Sequence, residues 1–385
     1  MITKIGILTQ PLLTNYGGLL QNYALQQVLI KRGYDVVTID WLEYNYYSRS
    51  FLFKKWIKTY IMSCFNFILP RWHFMTPREV KQTTEKLETF KNTYIIRTSK
   101  IRKKEGLNGV DTREKLNCFI VGSDQCWRPS YNGSFLTSMF LDFLPDNYQG
   151  KRIAYAASFG TKEWEFSAEE TKKCSLLAQK FDLITTREHA GEFLCKNYLH
   201  VDATTVLDPT MLLTANDYMS LLGLTNKKQT EGYLATYILD SNEQIEKTIS
   251  NVANKLNLNH RLELRAKLWS EHYYKDKFNL SDYVCMSMNE WLEGIYNAEM
   301  VVTNSFHGMV FSILFNKPFW IVGNKERGLA RFESLLQDLQ LTNRLLLVNN
   351  FDTVDLQEKI DWSKVNKLVE DKRNYSLNLL TTSIG

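Results

Sequence analysis

A histidine within residues 303–312, TNSFHGMVFS, has the surroundings of a catalytic group. A strand is predicted to end at Thr303 and a helix to begin after a short polar turn, so free N–H groups of the first helical turn would point into a cleft. That geometry suits a phosphate or a carboxylate, and His307 in the turn can exchange protons with a bound substrate. The alternative is that His307 caps the helix or bonds a nearby carbonyl, and spacing alone does not decide. Its neighbours are further candidates for substrate binding: Asn304, Ser305 and Gly308.

An arginine in the segment TTREHAG directly follows another predicted strand. The rigid fork of Arg187 can hold a carboxylate or a phosphate in a two-point contact. The competing interpretation is a structural ion pair with a local acid. His189, in the same segment, has no comparable support and is assigned a surface or capping position.

Polar residues also follow a predicted strand in VGSDQCWRP, residues 121–129. Asp124 and Gln125 could bond sugar hydroxyls, and Trp127 could stack on a sugar ring. Ser123 is counted with them as a candidate for substrate binding. The alternative is a tight turn with a buried tryptophan.

A glycine-containing loop opens the first helix in LTQPLLTNYGGLLQNYALQ, residues 8–26. Glycines there let the backbone approach a ligand closely, and the candidate residues are Asn15, Tyr16, Gly17 and Gly18. The pattern is neither the dinucleotide fingerprint nor a Walker loop, and a simple turn is the alternative. The segment DPTMLL, residues 208–213, resembles a strand exit into the interdomain connection and is assigned no chemistry.

Short apolar runs that alternate with helical stretches predict parallel sheets covered by helices. Strands are predicted at residues 5–8, 36–39, 118–121, 153–157, 183–185 and 205–207, and after the polar stretch 225–231 at 232–239, 262–264, 300–303 and 319–322. Helices are predicted at residues 19–32, 242–256, 290–297 and 306–315. We therefore expect an α/β protein of two Rossmann-like, doubly wound domains that face each other across a cleft.

The bulk composition sets limits on function. The chain has 385 residues and a net charge of +5, which suits an anionic small substrate but is too weak to indicate nucleic acid. The six cysteines are scattered without metal-ligand spacing, and neither a secretory signal nor a spanning helix is predicted. Residues 51–74 mix aromatic and basic residues, which indicates either an amphipathic stretch on a membrane surface or an inserted helical pair.

Taken in order along the chain, these motifs resemble the polysaccharide pyruvyltransferase family. They are NYGGLLQNYALQQ, VGSDQCW, AYAASFG, TTRE, LDPTMLL, NSFHGMVFSILFNKPF and RFESLLQDLQL, and they span nearly the whole chain. The resemblance implies a GT-B-like fold, phosphoenolpyruvate as donor and a lipid- or nucleotide-linked hexose as acceptor. With the polar stretch 225–231 taken as a linker, we expect residues 1–224 to form the N-terminal, acceptor-side domain, with a helical insertion near 51–115. We expect residues 225–385 to form the C-terminal, donor-side domain, whose last helix could pack back on the first.

The resemblance also assigns site residues. It implies His307 as catalytic acid and Arg187 as a group that stabilises the donor. Many members have Arg-Leu-His where this chain has Ser305, Phe306 and His307, so one donor-binding arginine is missing. We expect the missing charge to come from Arg331, or from Lys325 and Arg327 in the preceding loop.

The implied reaction needs no cofactor and no metal, and the implied location is cytoplasmic, with peripheral association at the inner face of the membrane as an option. Two other functions stay open. One is a GT-B glycosyltransferase that uses a nucleotide sugar, since this fold does not distinguish donors. The other is a non-catalytic binding member of a polysaccharide assembly complex, which the serine at position 305 would permit.

Overall fold

The computed structural model describes residues 3–42, 57, 61, 72–73, 75–223, 232–266, 273–274, 278–323, 329–346 and 354–385. Two parallel sheets organise this part of the chain. The aromatic and basic stretch at residues 51–74, for which a membrane-surface segment or an inserted helical pair was predicted, falls largely outside the described residues, as do Lys325 and Arg327.

The first sheet has six strands among the described residues, in the order β2-β1-β4-β5-β6-β7. Every pairing in it is parallel. Its strands are β1 (Lys4–Leu8), β2 (Asp35–Thr38), β4 (Cys118–Val121), β5 (Lys151–Ala157), β6 (Leu183–Thr186) and β7 (Thr204–Thr205). A separate antiparallel pair joins β3 (Trp72–His73) to β10 (Tyr273–Tyr274).

The second sheet has five strands in the described part of the chain, in the order β13-β12-β11-β8-β9, and it is also parallel. Its strands are β8 (Leu234–Tyr237), β9 (Arg261–Glu263), β11 (Met300–Thr303), β12 (Phe319–Val322) and β13 (Leu345–Leu346). The central strands are buried on both faces, which is why their sequences are continuous apolar runs.

Helices cover both sheets. The α-helices are α1 (Tyr16–Ile30), α2 (Pro77–Tyr94), α3 (Val110–Glu114), α4 (Pro129–Asn132), α5 (Ala168–Ala178), α6 (His189–Leu194), α7 (Ala215–Leu222), α8 (Glu243–Lys255), α9 (Met288–Tyr296), α10 (Phe306–Leu314), α11 (Ala330–Asp338) and α12 (Trp362–Ile384). Short 3-10 helices lie at Lys104–Leu107, Gly133–Phe135, Thr137–Phe140, Pro209–Met211, Leu280–Tyr283 and Thr342–Arg344, and a π-helix at Cys195–Leu199.

Several of these helices begin at capping boxes that the sequence encodes locally. Ser167 accepts a hydrogen bond from the backbone N–H of Glu170, whose side chain accepts one from the N–H of Ser167, and α5 begins there. The same reciprocal pattern starts α2, α7 and α9. These caps satisfy backbone donors that would otherwise have no partner at a helix start, so they fix where each crossover begins.

The final helix α12 returns to the first domain. Arg373, buried on this helix, donates from Nε to the carbonyl of Met211 at 2.8 Å. Ser376 Oγ accepts a hydrogen bond from the backbone N–H of Leu207 at 3.1 Å. The chain therefore crosses twice between the two sheets, and α12 braces the segment that leaves the first domain.

The structure confirms the α/β architecture with two parallel sheets. Strands β4, β11 and β12 have the bounds predicted from sequence. Helix α1 begins at Tyr16, three residues before the predicted start, because the Asn15 side chain accepts a hydrogen bond from the N–H of Gly18 and caps it. In the part of the chain that the structure describes, every helix is too short or too polar to cross a membrane.

Candidate functional site

Side chains at the carboxyl ends of strands from both sheets meet between the two domains, in a buried region that we call the crevice. In the first domain, β4 leads to Ser123 and β6 leads to Arg187, and in the second domain β11 leads to His307. In parallel α/β sheets, ligands bind at this end of the strands, where the loops and helix starts present polar groups.

A buried aspartate stands at the centre of the crevice. The residue Asp208 is only 1% exposed, and its side chain has no exposed surface to the nearest per cent. Its Oδ2 accepts hydrogen bonds from Arg187 Nη1 at 3.0 Å and from Ser123 Oγ at 2.9 Å. Its Oδ1 accepts from the backbone N–H of Thr210 at 3.0 Å and from Thr210 Oγ1 at 2.6 Å. The Nε2 atom of His307, from the second domain, lies 3.8 Å from Oδ2, which is an ion-pair distance rather than a hydrogen-bond distance.

These partners keep the aspartate charged. Burial alone would raise the pKa of Asp208, because a charge is poorly solvated in the interior. The proximity of His307, the positive charge of Arg187 and the hydrogen bonds from Thr210 outweigh burial and hold the pKa of Asp208 well below its usual range. The site therefore contains a fixed negative charge at its base at any pH near neutrality.

Arg187 connects this aspartate to the second domain. Its guanidinium is buried and its Nη2 donates to Asp124 Oδ1 at 3.4 Å, in addition to the bond with Asp208. Its Cζ lies 4.5 Å from the ring centroid of Phe306, at the start of α10, in a cation–π contact. Two acids and an aromatic ring thus fix the plane of the guanidinium. Its Nε has no hydrogen-bond partner among the described residues.

The imidazole of His307 packs directly on the first turn of α1. A Cβ atom built on Gly17 would lie 1.9 Å from His307 Nδ1, so only a glycine leaves room for the ring. His307 is 5% exposed, and its Nε2 has no hydrogen-bond partner within the described part of the chain. The histidine is therefore neither a helix cap nor a donor to a neighbouring carbonyl through Nε2.

A second guanidinium reaches the crevice from α11. Burial, followed by the like charge of Arg187, lowers the pKa of Arg331 to about 10, while the carboxylates of Asp124 and Glu188 act in the opposite direction. Arg331 therefore stays positively charged near neutral pH and lies close to Arg187. Its Nε is buried and finds no hydrogen-bond partner in the residues described.

The two arginines and the histidine share one property. Each presents a buried nitrogen that lacks a hydrogen-bond partner in the described structure, and the nitrogens come from both domains: Arg187 Nε, Arg331 Nε and His307 Nε2. Buried polar atoms without partners are rare because each costs free energy, about 1–3 kcal/mol for a neutral group and more for a charged one. Two of the three nitrogens belong to guanidinium groups, whose N–H groups can donate to an anion at the carboxyl end of parallel strands.

The loop after β4 is held rigidly. Gly122 has φ +123°, and a Cβ there would lie 2.1 Å from the carbonyl oxygen of Tyr155, so this close approach requires glycine. The Ser123 N–H donates to Gln21 Oε1 at 3.0 Å, which ties the loop to α1. Asp124 has φ +65° and is 7% exposed. The structure thus places Ser123 and Asp124 at the base of the crevice as partners of Asp208 and Arg187.

Other candidates from the sequence have contacts of a structural kind. Gln125 Oε1 accepts from Arg128, and Trp127 is buried with its ring stacked on Phe140 at 4.6 Å, so Trp127 belongs to the core and is not a sugar platform. The Tyr16 hydroxyl donates to the carbonyl of Met286 at 2.9 Å. These residues brace the crevice and, in this structure, do not face it with free polar atoms.

The turn before α10 is likewise built for packing. Asn304 bridges two backbone groups, since its Oδ1 accepts from the Leu239 N–H at 2.6 Å and its Nδ2 donates to the Asp240 carbonyl at 2.9 Å. A Cβ on Gly308 would lie 2.3 Å from Thr303 Oγ1, so the glycine lets α10 pack on the strand end. Ser305 occupies the N-cap position of α10 but makes no side-chain capping bond.

His189 lies at the surface, as predicted, and in addition contacts the second domain. Its Nε2 lies 3.0 Å from Asp338 Oδ1, and its backbone N–H donates to Ser334 Oγ at 3.1 Å. Both partners are on α11, so His189 joins the two domains beside the crevice. This contact holds the helix that carries Arg331 against the first domain.

Sequence reasoning missed Asp208, which had been assigned no chemistry, together with Thr210 and Glu188. Glu188 is fully buried, and its Oε1 accepts from Ser158 Oγ and from the N–H of Phe159 at 3.0 and 2.9 Å. One signal was available for Asp208. An acid that directly follows an apolar strand exit would be buried, and a buried carboxylate requires a cation or several donors.

The fold and this crevice define a GT-B-like protein with two parallel-sheet α/β domains. A model of the family described as polysaccharide pyruvyl transferase matches residues 15–326. That match covers most of the chain, which therefore belongs to the polysaccharide pyruvyl transferase family. Among curated proteins, no sequence match to the chain is found.

Solved structures show the same architecture at low sequence identity. A Listeria monocytogenes protein described as a UDP-N-acetylglucosamine 2-epimerase has 8% identity and a TM-score of 0.54, with 99% of this chain and 95% of that chain covered. Arabidopsis thaliana UGT89C1, complexed with UDP-L-rhamnose, has 8% identity and a TM-score of 0.51, with 98% of each chain covered. At these identities the likeness is one of fold alone.

Gly17→Ala should damage the crevice, whereas the adjacent Gly18→Ala should not. The new Cβ at position 17 would overlap His307, and such overpacking costs about 1–3 kcal/mol of stability. A Cβ at position 18 would meet Asn15 at 3.5 Å, an ordinary contact, and alanine favours the helix. Urea unfolding of the two variants measures the difference. Equal stabilities would show that the imidazole does not lie on Gly17.

Proposed function

We propose that the protein transfers the pyruvyl group of phosphoenolpyruvate to a pair of hydroxyls on one hexose of a polysaccharide precursor, forming a pyruvate ketal. The observation that carries this proposal is the set of three buried nitrogens without partners, on Arg187, Arg331 and His307. Phosphoenolpyruvate carries a carboxylate and a phosphate on the same carbon, C2, so it can accept from two guanidinium groups at once. Membership in the family supports the same donor.

The chemistry requires acid catalysis. Protonation of the methylene carbon of phosphoenolpyruvate makes C2 electrophilic, and a sugar hydroxyl then adds to C2 and gives up its proton to a base. Phosphate leaves the tetrahedral adduct with the electrons of its C–O bond, and the second hydroxyl adds to C2 and loses its proton, closing the ketal. His307, whose Nε2 is buried and has no hydrogen-bond partner among the described residues, is our candidate for the acid.

The crevice can also stabilise the leaving group. Helix α10 starts here, and its N-cap Ser305 makes no side-chain capping bond, so N–H groups of its first turn remain available to an anion. The positive end of the helix dipole adds to the charges of Arg187 and Arg331. Interactions that strengthen as negative charge gathers on the departing phosphate lower the barrier rather than merely bind the substrate.

Arg331 supplies, in this proposal, the charge that the family places before its histidine. This chain has Ser305 at the corresponding place, and the structure brings Arg331 close to Arg187 from a different helix. Lys325 and Arg327 precede that helix in the chain and remain candidates for further donor contacts. With Arg331 in this position the serine does not by itself argue for a protein that binds without turnover.

The acceptor is expected to be lipid-linked or nucleotide-linked, and the enzyme is expected to work in the cytoplasm, with peripheral association at the inner face of the membrane as an option. The GT-B-like fold supports a sugar substrate, since one solved structure that shares it is complexed with UDP-L-rhamnose. Phosphoenolpyruvate serves as a substrate, and the scheme uses no cofactor and no metal.

The donor can be tested directly with purified protein. Phosphoenolpyruvate or a panel of nucleotide sugars is supplied together with lipid-linked and nucleotide-linked hexoses, and products are read by mass spectrometry. We expect phosphate release and a gain of one pyruvyl unit with phosphoenolpyruvate only. A gain of one hexose unit would instead identify a glycosyltransferase. Tight acceptor binding without any product would identify a non-catalytic binding protein.

His307→Ala should lower turnover about a hundredfold or more, because a positioned acid or base typically contributes that much. The variant should still bind phosphoenolpyruvate, since both arginines remain. His260→Ala is the matched control, since His260 is exposed in the second domain, and it should keep wild-type turnover. The measurement is the steady-state rate of phosphate release. Near-normal turnover in His307→Ala would give the acid role to another group.

Arg331→Gln should raise KM for phosphoenolpyruvate about tenfold to a hundredfold, because a charge-assisted hydrogen bond contributes about 1.5–3 kcal/mol. Arg78→Gln, at an exposed position on α2, is the control for loss of one positive charge. Lys325→Gln and Arg327→Gln are measured in parallel. An unchanged KM in the triple variant of Lys325, Arg327 and Arg331 would refute the proposed replacement of the missing arginine.

A further inference from the structure

Both carboxylate oxygens of Asp208 already accept hydrogen bonds from groups within the protein. Four hydrogen bonds are distributed over both of its oxygens, two from Thr210, one from Ser123 and one from Arg187. The side chain has no exposed surface to the nearest per cent. No lone pair is directed to a ligand without competing with one of these bonds, so Asp208 acts on the crevice through its neighbours.

Asp208 lies at a point in the chain where side chains of both domains meet. It follows β7 and precedes the 3-10 helix Pro209–Met211, at the point where the chain leaves the first sheet. His307 comes from the second domain and lies 3.8 Å from the same oxygen that Arg187 contacts. One carboxylate therefore meets the proposed acid and the proposed donor-binding cation, one from each domain.

We propose that Asp208 is a positioning residue that fixes the guanidinium of Arg187 and the imidazole of His307 in register across the two domains. This inference rests on the proposed function, because it assigns those two side chains the roles argued above. Asp208 itself does not contact the substrate. It holds one Nη of Arg187 so that the buried Nε faces the anion, and it draws the Nε2 edge of His307 to the same side.

The inference is testable because two roles of Asp208 predict opposite changes in anion affinity when its charge is removed. One role is electrostatic repulsion of the anion, and the other is positioning of Arg187. A negative charge beside an anion pocket repels the anion, so removing it should tighten anion binding if Asp208 contributes only its charge. If Asp208 positions Arg187, its removal releases the guanidinium from its fixed plane, and anion binding weakens. A misplacement of about 1 Å in a catalytic arrangement can cost on the order of a hundredfold in rate.

The experiment compares the wild-type chain with Asp208→Asn by calorimetric titration with inorganic phosphate and with phosphoenolpyruvate, alongside the ketal assay. We expect binding of both anions to weaken about tenfold and turnover to fall about a hundredfold. Asp217→Asn is the matched control: Asp217 is a partly buried carboxylate that caps α7 and pairs with Lys31, away from the crevice. That variant should lose stability but keep wild-type anion affinity and KM.

A milder pair of variants covers the case in which Asp208→Asn does not fold. Thr210→Val keeps the shape of the side chain but removes the 2.6 Å hydrogen bond to Asp208, while Thr210→Ser retains a hydroxyl. We expect the valine variant to weaken phosphate binding and lower turnover severalfold, and the serine variant to recover most of that loss. Circular dichroism establishes that each variant is folded before it is titrated.

The outcomes separate this inference from the proposed function. Unchanged or tighter phosphate binding in Asp208→Asn, or a Thr210→Val variant equal to wild type, would overturn the positioning role. So would a wild-type chain that binds neither probe, because there would be no anion pocket to organise. If the wild type binds both anions but forms no ketal, the proposed function fails, while weaker binding in the variants still supports Asp208 as the positioning residue.

Discussion

The buried carboxylate of Asp208 is the constraint on which the arrangement of both domains depends. A charge removed from water is tolerated only when it is paired and hydrogen-bonded, and Asp208 satisfies this with Arg187, Ser123 and Thr210. Arg187 in turn lies on Phe306, at the first position of a helix in the second domain. A shift between the domains would therefore disturb the cation–π contact that helps to fix the guanidinium paired with Asp208. The electrostatics of the crevice and the approach of the two domains are set by the same few contacts.

Much of the fold could be predicted because its strands are buried on both faces and read as uninterrupted apolar runs. Strands β4, β11 and β12 have their predicted bounds for this reason. The predicted start of a helix was wrong where a single polar side chain determines it. Helix α1 begins three residues early because Asn15 accepts from Gly18, an interaction that apolar periodicity does not register.

The candidate site could be predicted only in part, because sequence shows local context and this site is made of distant groups. Arg187 and His307 each follow a predicted strand, and this local context alone was enough to indicate them as candidates. Asp208 has an adequate local explanation, since its Oδ1 accepts from the Thr210 N–H and caps a short helix. Its partners Arg187 and Ser123 are 21 and 85 residues away, and only the fold brings them to it. For Trp127, the predicted stacking on a sugar ring was wrong and the alternative, a buried tryptophan, is confirmed. The polar residues beside it in the sequence gave no sign that its ring is in the core.

The positive charges already present in the crevice explain why a serine is compatible with position 305. Arg187 and Arg331 are close enough that the charge of Arg187 lowers the pKa of Arg331, so the crevice already holds two mutually repelling cations. A third guanidinium at position 305 would stand beside Phe306, where Arg187 already stacks, and would raise the free energy of the unliganded protein further. With Arg331 supplied from α11, a small N-cap residue leaves the first N–H groups of α10 open instead. The dipole of α10 then adds a partial positive charge at its N-terminus, where an arginine at position 305 would add a full one.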